Sequence, residues 1–240
     1  MFGKNVRRGT ELYTGKLQVR EVFFTLQGEG PFSGMPAAFI RLTGCNLGCW
    51  FCDTVWDDKG DSYVAPYDIA FKARMESVDG CKLAVITGGE PLRQDLTELV
   101  RWLKHFGFSQ IQIETAGTYW QDICKEEGVT TVISPKSKVV HNNFYQDGLD
   151  THWKYVIKAG DYDVRDGLPT QPMQYYEGRD AAKLRGGRPA RPPRGRPVYL
   201  QPCDEQDEEK NKLNREQVKD LAMRHNYRAC IQLHKYLGVE

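Results

Sequence analysis

The stretch Cys45-Asn-Leu-Gly-Cys49-Trp-Phe-Cys52 sets three thiols within eight residues. Thiolates at C-x₃-C-x₂-C spacing can hold three irons of a [4Fe–4S] cluster and leave the fourth iron without a protein ligand. A cluster that only carries electrons normally takes four cysteines. A set of three therefore points to an iron at which a small molecule coordinates and is reduced. Two other readings stay open. Zinc also favours closely spaced cysteines, but a structural zinc site is closed and tetrahedral, and its fourth ligand would have to come from a distant Cys or His. Three buried cysteines with no ligand are the other alternative.

A second element, Gly88-Gly89-Glu90-Pro91, follows a short apolar run and opens an amphipathic one. Two glycines let a backbone approach a ligand closely, and Glu90 offers an acceptor to a cationic amine. Trp50 and Phe51, between the second and third thiols, would keep water from a metal, although ordinary core packing explains them equally well. Together the two elements suggest a ligand that both coordinates iron and carries an ammonium group. S-adenosylmethionine is such a ligand, its amino and carboxylate groups chelating the open iron.

These residues need a scaffold. Strands are expected at Ala37–Leu42, Leu83–Ile86, Ile111–Glu114, Thr130–Ile133, Trp153–Ile157, Val198–Leu200 and Ala229–Leu233. Helices are expected at Pro66–Val78, Leu92–Phe106, Tyr119–Glu126 and Arg215–His225, with Asn214 as an N-cap. Alternating strands and helices imply an α/β fold with a parallel sheet and right-handed crossovers. Several strands end in polar or glycine-containing residues, at Thr87–Pro91, Glu114–Thr118, Ser134–Lys136 and Gln201–Pro202. The carboxyl ends of parallel strands form the active face, so these segments should share one mouth.

The 240 residues and a formal charge of +1 suit a single domain over 1–240 and argue for neither nucleic acid nor a membrane surface. Met1 to Arg20 has no signal-peptide core, and the apolar runs are too short to span a bilayer. Seven scattered cysteines form no disulfide framework and fit a reducing cytoplasm. Residues Arg179–Arg196, rich in Arg, Gly and Pro, read as a mobile solvated insertion or as an RNA-binding arm.

The three-cysteine loop with Gly88-Gly89-Glu90-Pro91 resembles the radical S-adenosylmethionine superfamily. Within it, Thr25-Leu-Gln-Gly-Glu-Gly30, Cys52-Asp-Thr54, Ser134-Pro-Lys136 and Gln232-Leu-His-Lys-Tyr-Leu237 resemble the 7-carboxy-7-deazaguanine synthase family. The resemblance runs from about residue 17 to the C-terminus and leaves out the arginine-rich insertion. It implies a partial, modified (β/α)₆ TIM-like barrel, usually as a homodimer. It also implies a [4Fe–4S] cluster on Cys45, Cys49 and Cys52, S-adenosylmethionine and Mg²⁺. The reaction implied is conversion of 6-carboxy-5,6,7,8-tetrahydropterin to 7-carboxy-7-deazaguanine with loss of ammonia, on the way to queuosine and related deazapurines. A one-electron donor such as a flavodoxin is a further implied partner.

The resemblance also assigns roles. Leu26, Gln27, Gly28, Arg41 and Thr87 correspond to substrate contacts, as do His234 and the terminal Glu240, where a proline can stand in the family. Glu29 would accept paired N–H groups from an aminopyrimidine. Thr54 corresponds to the Mg²⁺ ligand. Cofactor contacts fall on Phe51, Cys52, Asp53, Gly89, Glu90, Ser134, Pro135 and Lys136, on Gln201, Pro202, Cys203 and Asp204, and on Glu114 at the ribose. Two rivals share part of this pattern. An activating enzyme for a glycyl-radical protein would need the cysteines and the Gly-Gly-Glu-Pro element but not the substrate residues. A metal-dependent RNA-binding module would use the arginine-rich segment.

Overall fold

In the computed structural model, which describes residues 9–10, 14–52, 62–173 and 188–239, the described strands form one nine-stranded sheet. β1 (Leu17–Leu26) pairs antiparallel with β2 (Pro36–Leu42) and with β3 (Ser62–Val64). From β2 onward, β4 (Leu83–Gly88), β5 (Gln110–Thr115), β6 (Val129–Ile133), β7 (Thr151–Ile157), β8 (Val198–Pro202) and β9 (Arg228–Ala229) lie parallel, in chain order. The sheet is thus mostly parallel, as in a partial TIM-like barrel, and delivers successive strand ends to a single rim.

β1 has no counterpart among the expected strands. Its core residues are Leu17 and Val19, then Val22, with Phe24 packed beside them. The pairing register shifts between Val19 and Glu21. A one-residue bulge switches which parity faces the core, so simple alternation fails across it.

Helix α1 (Pro66–Glu76) lies where expected, with Pro66 in its first turn and Ile69, Ala70 and Ala73 buried. Helix α2 (Thr97–His105) starts later than expected, after a 3₁₀ turn at Pro91–Arg93. The delay follows from two buried side chains that serve other backbone. Gln94 Oε1 accepts from Gln18 N (2.7 Å) while its Nε2 donates to Gln18 O (3.1 Å), and Arg93 Nη1 donates to Thr43 O (3.0 Å). Tyr119–Glu126 forms only a 3₁₀ turn at Asp122–Lys125 rather than a helix.

Helix α3 (Glu208–His225) begins two turns before the expected start, capped by Asp207, which accepts from Lys210 N (3.2 Å). Asn214 is therefore no N-cap but a buried mid-helix residue. Its Oδ1 accepts from Ala159 N (2.7 Å) and its Nδ2 donates to Cys203 O (2.9 Å), tying α3 to the ends of β7 and β8. At the C-terminus, β9 covers only Arg228–Ala229; Cys230–Gln232, expected to continue that strand, are irregular, and Leu233 opens a short helix, α4 (Leu233–Leu237).

The arginine-rich segment is anchored from Arg188 onward. Arg191 donates to Asp166 from Nε (2.7 Å) and Nη2 (3.2 Å) and to the Pro169 carbonyl from Nη1 (2.9 Å). Arg196 binds the Leu149 and Gln146 carbonyls, Arg188 pairs with Asp163, and Ala190 N donates to Ser137 O (2.9 Å). These residues are structural, which corrects the expectation of a solvated loop over 188–196; residues 179–187 lie outside the described residues. Arg191→Ala is expected to cost about 2 kcal/mol, because it strands a carboxylate and several carbonyls. Chemical denaturation of the variant checks this.

Candidate active site

The cysteine loop leaves the end of β2 and is rooted by side chains of the turn that follows β4. The Thr43 carbonyl accepts from Arg93 and from Gln94 Nε2 (3.3 Å). The end of β4 is laid directly against this loop. Gly89 N donates to Leu42 O (3.2 Å) and Glu90 N to Gly44 O (3.0 Å). Gly88 sits at φ +129, and a Cβ there would fall 1.9 Å from the Leu42 carbonyl oxygen. A Cβ on Gly89 would fall 2.1 Å from Gly44 O and 2.9 Å from Cys45 Cβ. The two glycines are thus needed for contact with the cysteine loop itself, a tighter constraint than ligand approach.

Glu90, expected as an acceptor for an amine, is engaged within the fold. It is 1% exposed; Oε1 accepts from Leu92 N (3.1 Å) and Thr115 Oγ1 (2.7 Å), and Oε2 from Ala116 N (2.8 Å). Burial pushes its carboxyl up, against these donors. Its work is to join the ends of β4 and β5.

Above these strand ends opens a cleft of about 330 Å³ lined by Cys45, Cys49 and Cys52 together with Gly88 and Gly89. Burial pushes the Cys45 thiol up to about 12, opposed by the Leu47 N–H. Iron must therefore displace a proton there, as metal binding to thiols generally does. Three thiols opening on one cleft suit a [4Fe–4S] cluster, each of whose irons takes a separate sulfur.

From β6 to β8, Ser134, Lys136, Gln201, Pro202 and Asp204 line the same cleft, with Phe51 from the cysteine loop. Lys136 Nζ donates to Ser134 O (2.8 Å) and lies 5.9 Å from the Phe51 ring centre. Burial depresses its ammonium. Trp50 packs with Phe51 against Val156, Met173 and Cys203, so the apolar pair is both packing and wall. Cys203 and Pro135 are buried and do not line this cleft.

From β1 to β5 come Leu26, Gln27, Glu29, Arg41, Thr87 and Glu114. Gln27 and Gln201 are 3% and 8% exposed, and Gln27 Nε2 and Gln201 Oε1 have no hydrogen-bond partner among the described residues. Buried polar atoms at a cleft wall in this state fit a bound ligand. Arg41 lines the cleft, pairs with Glu21 and stacks 5.2 Å from the Phe23 ring centre. Gly28 is not part of the wall; its carbonyl accepts from Leu233 N (3.2 Å), docking the C-terminal tail onto the loop after β1.

His234 lies in α4 rather than in a strand. Asp53, Thr54 and Glu240 lie outside the described residues. Sequence reasoning missed Lys154 and Gln232. Lys154 pairs with Glu29 and with Glu114 (2.9 Å), and Gln232 Nε2 donates to Glu29 Oε1 (2.9 Å). A lysine in the middle of an otherwise apolar strand, Trp153–Ile157, was the available signal.

No family model matches the chain. Individual relatives do. A 7-carboxy-7-deazaguanine synthase of Rhodospirillum rubrum is 40% identical over 249 aligned positions that span the whole of both chains. One of Rickettsia prowazekii is 35% identical over 100% of this chain and 96% of its own. Among solved structures, QueE from Escherichia coli superposes with a TM-score of 0.59 at 25% identity, covering 90% of this chain and 93% of that one. Likeness of this extent, in sequence and in fold, places the chain in the 7-carboxy-7-deazaguanine synthase family of radical S-adenosylmethionine enzymes.

Proposed function

We propose that this cleft converts 6-carboxy-5,6,7,8-tetrahydropterin to 7-carboxy-7-deazaguanine with loss of ammonia, a lyase step in queuosine biosynthesis. One observation carries the reading: the cysteine loop, the Gly88-Gly89 strand end and the Leu26–Glu29 loop open into a single cleft. S-adenosylmethionine on a [4Fe–4S] cluster supplies the radical when bound. Cys45, Cys49 and Cys52 would hold the cluster, and Phe51, Gly89, Ser134, Lys136, Gln201, Pro202 and Asp204 the S-adenosylmethionine. Gln27 would donate and Glu29 accept along the pterin edge, and Arg41 would meet its carboxylate, for which a planar guanidinium is suited.

The activating-enzyme rival has no use for that second group of residues on the same cleft wall. Anaerobic incubation of the reconstituted protein with the pterin decides between them. Deazaguanine absorbance is expected; cleavage of S-adenosylmethionine with no product would sink the reading. An RNA-binding role loses its footing where Arg188, Arg191 and Arg196 are already engaged within the fold.

Mg²⁺ on Thr54, a flavodoxin-like electron donor and a homodimer belong to the same proposal. The cysteines of the loop are part-exposed, so a donor protein can come near the cluster. Thr54→Ala is expected to raise the Mg²⁺ concentration for half-maximal turnover roughly tenfold or more, since even outer-shell partners of a metal matter that much. An unchanged Mg²⁺ titration would remove the assignment. All seven cysteines are free, which fits a cytoplasmic setting. Among the described residues no helix is long and apolar enough to cross a membrane.

A further inference from the structure

We propose that Lys154 is a positioning residue for the pterin: seated between Glu29 and Glu114, it keeps the Glu29 carboxylate ionised and fixed at the cleft wall. The inference rests on the substrate reading above. Lys154 is 6% exposed and sits on β7, an interior strand of the parallel part of the sheet. Its Nζ binds one oxygen of Glu29 and one of Glu114. The outer oxygen of Glu29 is held by Gln232, and that of Glu114 by Gln112. The side chains of Glu29 and Glu114 are 16% and 15% exposed, and both line the cleft with Lys154.

Two carboxylates this close and this desolvated cannot both stay ionised without a cation between them; they would share a proton. Lys154 supplies the cation. Burial alone would depress its ammonium, but Glu114 and Glu29 outweigh that and hold it above the usual range. Burial likewise pushes the Glu114 carboxyl up, and Lys154 pulls it back. Among the described residues, the other titratable groups that face the three are Cys230 from the tail and Lys136 from the loop after β6. Neither bridges the two acids. An ionised Glu29 presents acceptors only, the state that suits the paired N–H groups of an aminopyrimidine. A protonated Glu29 would present a donor in place of one of those acceptors.

The test is Lys154→Met in the reconstituted holoenzyme, with steady-state kinetics over the neutral pH range. KM for the pterin is expected to rise roughly 30-fold or more, the scale seen when one partner of a buried charge pair is truncated. KM for S-adenosylmethionine should hold. In the variant, pterin KM should also fall as pH rises, because raising pH removes the shared proton; the wild type should show no such slope. A second substitution, Lys154→Arg, restores a cation between the two acids and should regain most of the affinity and lose the slope. A merely structural role lowers thermal stability but creates no pH-dependent KM. An unchanged KM in Lys154→Met, or a loss without slope, overturns the proposal. If Lys154→Met does not fold, Lys154→Gln takes its place with the same expected rise and slope, and their absence overturns the proposal. A wild type that cleaves S-adenosylmethionine but never turns over the pterin counts against the substrate reading instead.

Discussion

Cys49→Ala is expected to abolish reductive cleavage of S-adenosylmethionine while leaving the sheet intact. The thiol is part-exposed in a loop and belongs to none of the hydrophobic clusters, so its removal opens no core cavity. What it removes is one of three sulfurs on the cleft wall. Cys81, Cys124, Cys203 and Cys230 cannot replace it, being buried elsewhere. Two protein thiolates would then face a cluster that needs three to leave a single open iron. The measurement is 5′-deoxyadenosine formation with dithionite under anaerobic conditions, beside iron and sulfide content and a far-ultraviolet spectrum. Wild-type cleavage in a folded Cys49→Ala protein would show that the loop does not hold the catalytic cluster. Cys124→Ala serves as the control for losing a thiol. It empties a buried site, so stability should fall while cleavage persists.

How much of this site was legible beforehand depends on how far apart in the chain its partners lie. Cys45, Cys49 and Cys52 are local in sequence, and their spacing carried the chemistry without a fold. The parallel strands were equally legible, because fully buried runs such as Leu83–Ile86 are continuous apolar stretches bounded by glycine or polar residues. β1 was not, because its bulge breaks the alternation on which a half-buried strand is recognised. Nor was the start of α3, whose first turns, Glu208 to Lys212, are so charged that only the Asp207 cap marks them.

The long-range pairings were the least visible. Lys154 meets Glu29 across 125 positions and Glu114 across 40; its place in an apolar strand marks it as unusual, but nothing local names its partners. The arginine-rich segment failed for the opposite reason. Its composition suggests a chain that cannot pack. Yet Arg191 and Arg196 are held by backbone carbonyls and Asp166, partners that composition does not reveal. Glu90 shows the same limit within a motif: its position was legible, but its three donors lie on the next strand and in its own turn, which only the fold brings together.

Gly89→Ala should be as damaging to the chemistry as loss of a cysteine, although it removes no cluster ligand. The new methyl would lie 2.1 Å from the Gly44 oxygen, which belongs to backbone rather than to a flexible side chain. Ordinary contact begins more than an ångström further out, so either the β4 end or the cysteine loop has to move. The β4 end is held by Glu90, whose carboxylate is tied to Thr115 and Ala116 on the neighbouring strand end. The loop is the softer side, and Cys45, 2.9 Å from the same methyl, moves with it. Positioning errors of about an ångström are enough to cost roughly a hundredfold in rate. The expected result is a folded protein with iron and sulfide well below four per chain and S-adenosylmethionine cleavage reduced at least that far. Gly88→Ala goes further, because it adds a left-handed φ to a 1.9 Å clash with Leu42, and it should compromise folding itself. A Gly89→Ala protein that assembles a full cluster and cleaves S-adenosylmethionine at the wild-type rate would show that the β4 end does not set the position of the cysteine loop.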